Sequence, residues 1–229
     1  YSYMDTEMNT LLQETRENGI RIILIDSDGP SSSRDLFIGI DNQAAGEMAG
    51  EYIQKKLPEG KTTLLISQLI TESRPNLQSR IVGIQSSYAE VPELLNLYTE
   101  SLSTVEESLK FENYLKENPD IGAIIAITDS NTVSCAQILQ RMGLSDEIFL
   151  FGFDLGKDSE ELLSQGVVDA VLCYDSEQMG YESIRLTASL LEGDSIVSDI
   201  FFVDFEILES ETEVQEWTEL HLELWRTRF

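Results

Sequence analysis

Two carboxylates stand where aliphatic runs end: Asp26 closes Ile22-Ile23-Leu24-Ile25, and Asp154 closes Phe149-Leu150-Phe151-Gly152-Phe153. A third run, from Ile121 to Thr128, delivers Asp129 in the same way. Runs of this kind read as buried strands, and in open α/β sheets ligands sit outside the carboxyl ends of the strands. A carboxylate placed there can accept hydrogen bonds from ligand hydroxyls, or it can cap the helix that follows. Repetition of one plan on three strands points to several strand ends facing one cleft, with Asp154 as the anchor of the site.

The inventory for catalysis is thin. The single histidine, His221, lies near the carboxyl end, so a histidine metal site or an imidazole triad would have to be built there. No Gly-x-Ser-x-Gly elbow, phosphate loop or Cys-x-x-Cys pair occurs. Asp26-Ser27-Asp28-Gly29 has two acids of a calcium-loop opening but lacks the third acid before glycine and the closing glutamate, and it reads as a turn. Asp26 and Asp154 could serve glycoside hydrolysis only at a fixed separation, which a sequence does not supply. The expectation is a non-enzyme that needs neither cofactor nor metal.

The elements that must position these residues alternate. Strands are expected at 20–26, 36–40, 62–67, 94–98, 121–127, 147–153 and 168–174. Helices are expected at 5–18, 42–57, 76–89, 104–117, 130–142, 157–165 and 176–192. Such alternation implies a parallel sheet with helices on both faces, joined by right-handed crossovers. Met8, Leu11 and Leu12 mark the inner face of the first helix, and Asp41 is placed to cap the second. The acidic pairs Glu106-Glu107 and Glu160-Glu161 read as solvated helix faces.

With 229 residues, 41% of them hydrophobic, the chain can build real cores. Fifteen basic against 42 acidic residues give a net charge of −27, which repels a phosphate backbone and argues against nucleic acid as a partner. No apolar run reaches the roughly 18 residues of a membrane span, and residues 1–20 lack the basic-then-apolar order of a signal peptide. Cys135, in an expected helix, and Cys173, in an expected strand, are expected to be buried free thiols.

Five segments taken together resemble type I periplasmic sugar-binding proteins of the ribose-binding kind. They are Gly19 to Asp26, Asp41 to Gly46, Ser79 to Gly83, Phe151 to Asp154, and Gly166-Val-Val-Asp-Ala-Val171 with Gly180-Tyr181. The same core occurs in effector domains of lactose-repressor-like regulators. The resemblance implies an α/β fold of two lobes, each a parallel sheet flanked by helices, joined by three crossover strands and closing on ligand by a hinge. Phe37 to Asp41, Cys173 to Asp175 and Phe201 to Phe205 suit the crossings. One lobe then holds residues 1–40 and 175–200, the other 41–174 and 201–208, with 209–229 as a tail. The family carries roughly a hundred residues ahead of the point where this chain starts, and a lobe without them would expose a strand edge, so the expectation is a fragment.

Carried over position by position, the resemblance puts Asp26, Arg80 and Asp154 at the ligand. Ser27 stands where ribose binders have arginine, Thr128 where they have asparagine, and Tyr174 where they have glutamine. Loss of an arginine fork removes a bidentate donor and argues against ribose itself. Asp129 is open to two readings, ligand contact or helix capping, and Arg80 has an alternative as a solvent-exposed helix residue. In the tail, Leu220, Leu222 and Leu224 alternate like a strand, but Val214, Trp217, His221, Leu224 and Trp225 fit one helical face, and a helix packed on the lobe is expected.

Three functions are compatible with this reading. The first is an extracytoplasmic solute-binding protein, possessing or lacking a lipid anchor, that delivers a small polar ligand, a carbohydrate, to an ABC-type membrane transporter. The second is the ligand-sensing ectodomain of a histidine kinase or chemoreceptor, which the tail would suit. The third is the effector core of a lactose-repressor-like regulator, against which stand the charge and the absence of a helix-turn-helix segment.

Overall fold

The computed structural model describes residues 6–68, 74–90, 92–97, 104–194 and 198–228. In chain order the elements are α1 (Thr6–Glu17), β1 (Ile23–Ile25), β2 (Leu36–Gly39), α2 (Asn42–Lys56), β3 (Thr62–Gln68), α3 (Pro75–Ser87), β4 (Glu93–Leu97), α4 (Val105–Glu117), β5 (Ile121–Ala126), α5 (Asp129–Met142), β6 (Phe149–Phe153), α6 (Lys157–Ser164), β7 (Ala170–Tyr174), α7 (Ser176–Glu192), β8 (Ile200–Phe202), β9 (Phe205–Leu208) and α8 (Glu211–Arg228). Each expected strand and helix is present, and the tail is helical. Tyr98, Glu72 and the side chains of Leu224 and Trp225 lie outside the described residues.

The strands form two sheets. The larger runs β4-β3-β5-β6-β7-β9, parallel except for β9, which pairs antiparallel with β7. The smaller runs β1-β2-β8 and is parallel throughout. Alternate residues of β5 feed opposite cores, because side chains alternate across a strand. Ile124 and Ala126 join Phe111, Cys135, Leu139 and Leu163 on one face. Ala123 and Ile125 join Ala45, Ile53, Ile81 and Ile84 on the other. Both faces are covered, which is why the strand reads as a continuous apolar run rather than an alternating one.

The chain passes between the sheets three times: through Ile40 and Asp41, through Asp175, and through Val203 and Asp204. Hydrogen bonds tie these passages side by side, from Val203 N–H to the Gly39 carbonyl at 2.8 Å and from Asp175 N–H to the Asp204 carbonyl at 3.5 Å. The third passage leaves the small sheet after Phe202, so Phe201 and Phe202 belong to its strand β8.

Glycines set the contact between α2 and α3. A Cβ at Gly46 would collide with the Arg80 carbonyl, and one at Gly83 with the Gln43 carbonyl, so the two backbones approach as only glycine permits. The inward face of α2 is made by Ala45, Ala49 and Ile53, all fully buried. Asp41 caps this helix, accepting from Ala44 N–H at 3.0 Å, a bond that stabilises a helix start by about 1 kcal/mol.

Two expectations are corrected and one alternative falls away. Glu107 is buried rather than solvated, because it closes the start of α4: Thr104 Oγ1 donates to its carboxylate at 3.1 Å and accepts from its N–H at 3.2 Å. Leu11 points outward, 57% exposed, and leaves Met8 and Leu12 as the partly buried face of α1. Arg80 is not a solvent-facing helix residue, since it is 3% exposed. The two cysteines are buried and free, as expected.

Candidate functional site

The centre of the site is a buried guanidinium forked onto a strand-end carboxylate. Arg80, in the second turn of α3, donates from Nη1 to Asp154 Oδ2 at 3.2 Å and from Nη2 to Asp154 Oδ1 at 3.3 Å. Its other donors are also engaged. Nη1 reaches the Ile127 carbonyl at 2.7 Å, while Nη2 and Nε reach Asn42 Oδ1 at 3.0 and 3.1 Å. An arginine has five N–H groups, and these five contacts engage them all. Beneath lies the Phe153 ring, 4.5 Å from the guanidinium carbon to the ring centroid, a cation–π contact in a desolvated setting.

The local chain geometry explains the fork. Asn42 reaches Arg80 because the glycine contact brings the starts of α2 and α3 together. Asp154 is held because its N–H donates to the Leu172 carbonyl of β7 at 3.0 Å, after which the chain turns with φ 65°. That left-handed conformation costs an L-residue about 1–2 kcal/mol, and aspartate is among the types that tolerate it best.

Asp26 repeats the device on the smaller sheet. Its N–H donates to the Ile38 carbonyl of β2 at 2.9 Å, and its φ is 67°. The two residues are the positive-φ non-glycine positions among the described residues. Asp26 is as a residue exposed, yet its carboxyl faces the cleft, where the Tyr174 hydroxyl donates to Oδ1 at 3.5 Å. Burial of that carboxyl pushes its pKa above the ordinary carboxylate value, and the Asp154 charge adds to the push, against the opposing pull of Arg80 and the Tyr174 hydrogen bond. The Tyr174 hydroxyl is raised for the same leading reason, burial, reinforced by Asp154 and Asp26. Ser27 follows in a tight turn, its N–H donating to the Ile25 carbonyl at 2.8 Å, and its residue is half-buried.

Thr128 and Asp129 are placed differently. Thr128 caps α5, its Oγ1 accepting from Asn131 N–H at 3.3 Å and donating to Asn131 Oδ1 at 2.8 Å. Asp129 turns onto the next helix, accepting from Gly156 N–H at 3.1 Å and from the Ser159 hydroxyl. Of the two readings open in the sequence, capping is the one its bonds describe, though it is α6 that is held. The bond fixes the turn that carries Asp154.

Several neighbours of the site escape a reading of the sequence. Asn42 looks like an ordinary first residue of a helix, and nothing local signals a partner 38 positions away. Phe202, 48% exposed, meets Phe37 edge-on at 6.3 Å beside a cavity of about 210 Å³ that Asp26, Asn42 and Ser79 also line. A second cavity, of about 260 Å³, is lined by Asp154, Tyr174, Asp175, Trp217 and His221. Each is below the roughly 300 Å³ at which ligand pockets begin. A roomier cavity of about 660 Å³, lined by Lys61, Tyr88, Glu93 and Tyr114, lies at the amino ends of β3 and β5, the wrong end for a ligand in a sheet of this kind.

Helix α8 closes one side of the second cavity. Trp217 Nε1–H donates to Cys173 Sγ at 2.9 Å, and burial holds that thiol protonated, its pKa pushed up to about 12. His221 Nδ1–H donates to the Trp217 carbonyl at 2.6 Å, and its Nε2 stands 3.7 Å from Asp175, which caps α7 through Gln178 N–H at 2.7 Å. The expected packing of Val214, Trp217 and His221 as one face is thereby seen, with Val214 buried. Among the described residues no cluster of histidine, cysteine and carboxylate is placed to hold a metal, and no helix is long and apolar enough to cross a membrane.

Comparison with known proteins places this geometry in a family. The ribose import binding protein RbsB of Escherichia coli is 25% identical over 178 residues, 77% of this chain and 59% of the relative, so the chain spans about three-fifths of that relative's length. A solute-binding protein from Burkholderia graminis, solved with D-arabinose, superposes with a TM-score of 0.78 at 20% identity, covering 90% of this chain and 72% of that one. The XylFII–LytSN complex contains a chain that superposes with a TM-score of 0.75 at 20% identity, over 90% and 73% of the two chains. These likenesses, the type I arrangement of two sheets and three passages, and a match of residues 4–195 to the model of the periplasmic binding protein domain lead to one assignment. The chain belongs to the periplasmic binding protein domain family.

Proposed function

We propose that the chain is the ligand-capturing part of an extracytoplasmic solute-binding protein that takes up a carbohydrate for an ABC-type transporter and catalyses nothing. The observation that carries this reading is the pair of left-handed strand-end carboxylates, Asp26 on one sheet and Asp154 on the other, facing one cleft with Tyr174 between them. Carboxylates so placed accept from adjacent hydroxyls of a sugar, and strained backbone at both is what a pre-organised site shows. Phe202 offers an apolar face for the ring. In this reading the smaller lobe is α1, β1, β2, α7 and β8, the larger lobe is the rest, and the three passages are the hinge. Asp26, Ser27, Asp154 and Tyr174 contact the ligand, Arg80 and Asn42 hold Asp154, and Thr128 and Asp129 set the turns. A lipid anchor would keep such a protein at the cell surface.

A sensing role is the second reading, favoured by the packing of α8 on the passage at Cys173 and Asp175, which couples the end of the chain to the hinge. A thermal-shift screen of sugars tests the main reading. A ligand present at a hundredfold over its Kd stabilises the native state by about 2.7 kcal/mol. A complete screen in which no sugar or polyol raises the Tm, while another ligand class does, would overturn it.

A further inference from the structure

On the carbohydrate reading of this cleft, its charges narrow the ligand further. All five N–H groups of Arg80 are engaged inside the protein, so the guanidinium has no donor left to offer. Its single positive charge is matched by Asp154 at 3.2 Å. Asp26 is then the unbalanced group. Its hydrogen bond is the one from Tyr174, and the charges that act on it are Asp154, which repels it, and Arg80, already paired. The nearby Arg34 does not help, since it is buried against Asp28 and Asp199. Ser27, the next residue, brings a hydroxyl and no charge.

Among the described residues of the cleft, Asp28 is paired with Arg34 and Asp41 caps α2, so Asp26 and Asp154 face the one guanidinium of Arg80 and one negative charge is left over. A neutral sugar can donate hydroxyls to Asp26 but leaves that charge unmatched, and an acidic sugar adds a third anion. A protonated amine supplies both the donors and the missing charge. We infer that the cleft selects an amino-substituted carbohydrate, its ammonium on Asp26 and its hydroxyls on Asp154, over the neutral and acidic members of the same series.

Titration calorimetry of the full chain tests this with five- and six-carbon sugars, their amino-deoxy counterparts and their sugar acids, at low and at moderate ionic strength. Within the best-binding series the amine should bind at least tenfold more tightly than the neutral sugar, the advantage should shrink as salt is added, and the acid should give no heat. Two variants assign the effect. Asp26→Asn removes the unmatched charge, and Ser27→Arg supplies a guanidinium beside it. In each, the ratio of amine to neutral affinity should fall below twofold. A neutral or acidic sugar binding as well as its amine overturns the inference and leaves the carbohydrate reading standing. An amine preference that persists in both variants removes Asp26 from the role. Failure of every carbohydrate, whatever its charge, overturns both together.

Discussion

Asp154 and Asp26 are built alike and supported differently. Each ends a parallel strand, each donates its N–H to the neighbouring strand, and each turns with positive φ. Behind Asp154 stands a frame: a buried arginine, Asn42, the Ile127 carbonyl and the Phe153 ring. Behind Asp26 there is a tyrosine hydroxyl at 3.5 Å. The first carboxylate is tied into the architecture of its lobe, and the second has one side-chain hydrogen bond among the described residues. One local motif thus comes with two kinds of support, and the packing behind it decides which.

The difference can be broken most severely at Arg80. Arg80→Ala should cost about 3–5 kcal/mol of stability in chemical denaturation, because it leaves the buried Asn42 and the half-buried Asp154 carboxylate without their partner. Asp154→Ala should cost less, about 2 kcal/mol, since its side chain is 31% exposed and water can partly replace it, but the arginine it abandons stays buried. Gly46→Ala probes the frame from behind. It should cost about 1–3 kcal/mol by pushing α2 off α3, and it should weaken ligand binding although residue 46 touches no ligand. An unchanged Kd in that variant would uncouple the glycine contact from the site.

At Asp26 the sign reverses. Asp26→Gly should leave stability unchanged or raise it by up to about 1 kcal/mol, because glycine adopts the left-handed turn without strain, while binding is lost. The smallest effect is a pH dependence. The native pKa of Asp26 lies above its unfolded value of 3.8, so the folded state binds the proton more tightly. Its contribution to stability is full below pH 3.8 and is lost as pH rises through the native pKa. Subtracting the stability curve of Asp26→Asn from that of the parent should show this downward step, and a difference curve that rises over the same window would contradict the burial of the carboxyl.

The sheet was legible in the sequence because buried parallel strands are continuous apolar runs, as in Ile121 to Ala126, and because each acid stands at a run's end. Arg80 and Asp154 could be brought to one site, though not into one ion pair, from the family resemblance. The partner of Arg80 could not, because Asn42 is fixed by a contact between helices that depends on Gly46 and Gly83 together. Asp129 shows the opposite limit. Its position at a strand end resembles that of Asp154, and only the place of Ser159 and Gly156, some thirty residues on, turns it into a cap. Glu107 was misread for a similar reason, since Thr104 three residues earlier makes it the closing member of a capping box.

The contact of Trp217 with the passage at Cys173 has an optical consequence. An indole bonded to a thiol and set edge-on to an imidazole should have its emission quenched, chiefly by the thiol. The thiol lies at the end of β7, where the chain leaves one sheet for the other. Any motion that swings this passage away from α8 separates fluorophore from quencher. With Trp225 replaced by phenylalanine, the intrinsic fluorescence of a single residue would then follow opening and closing in real time, without a label and without knowledge of what the ligand is.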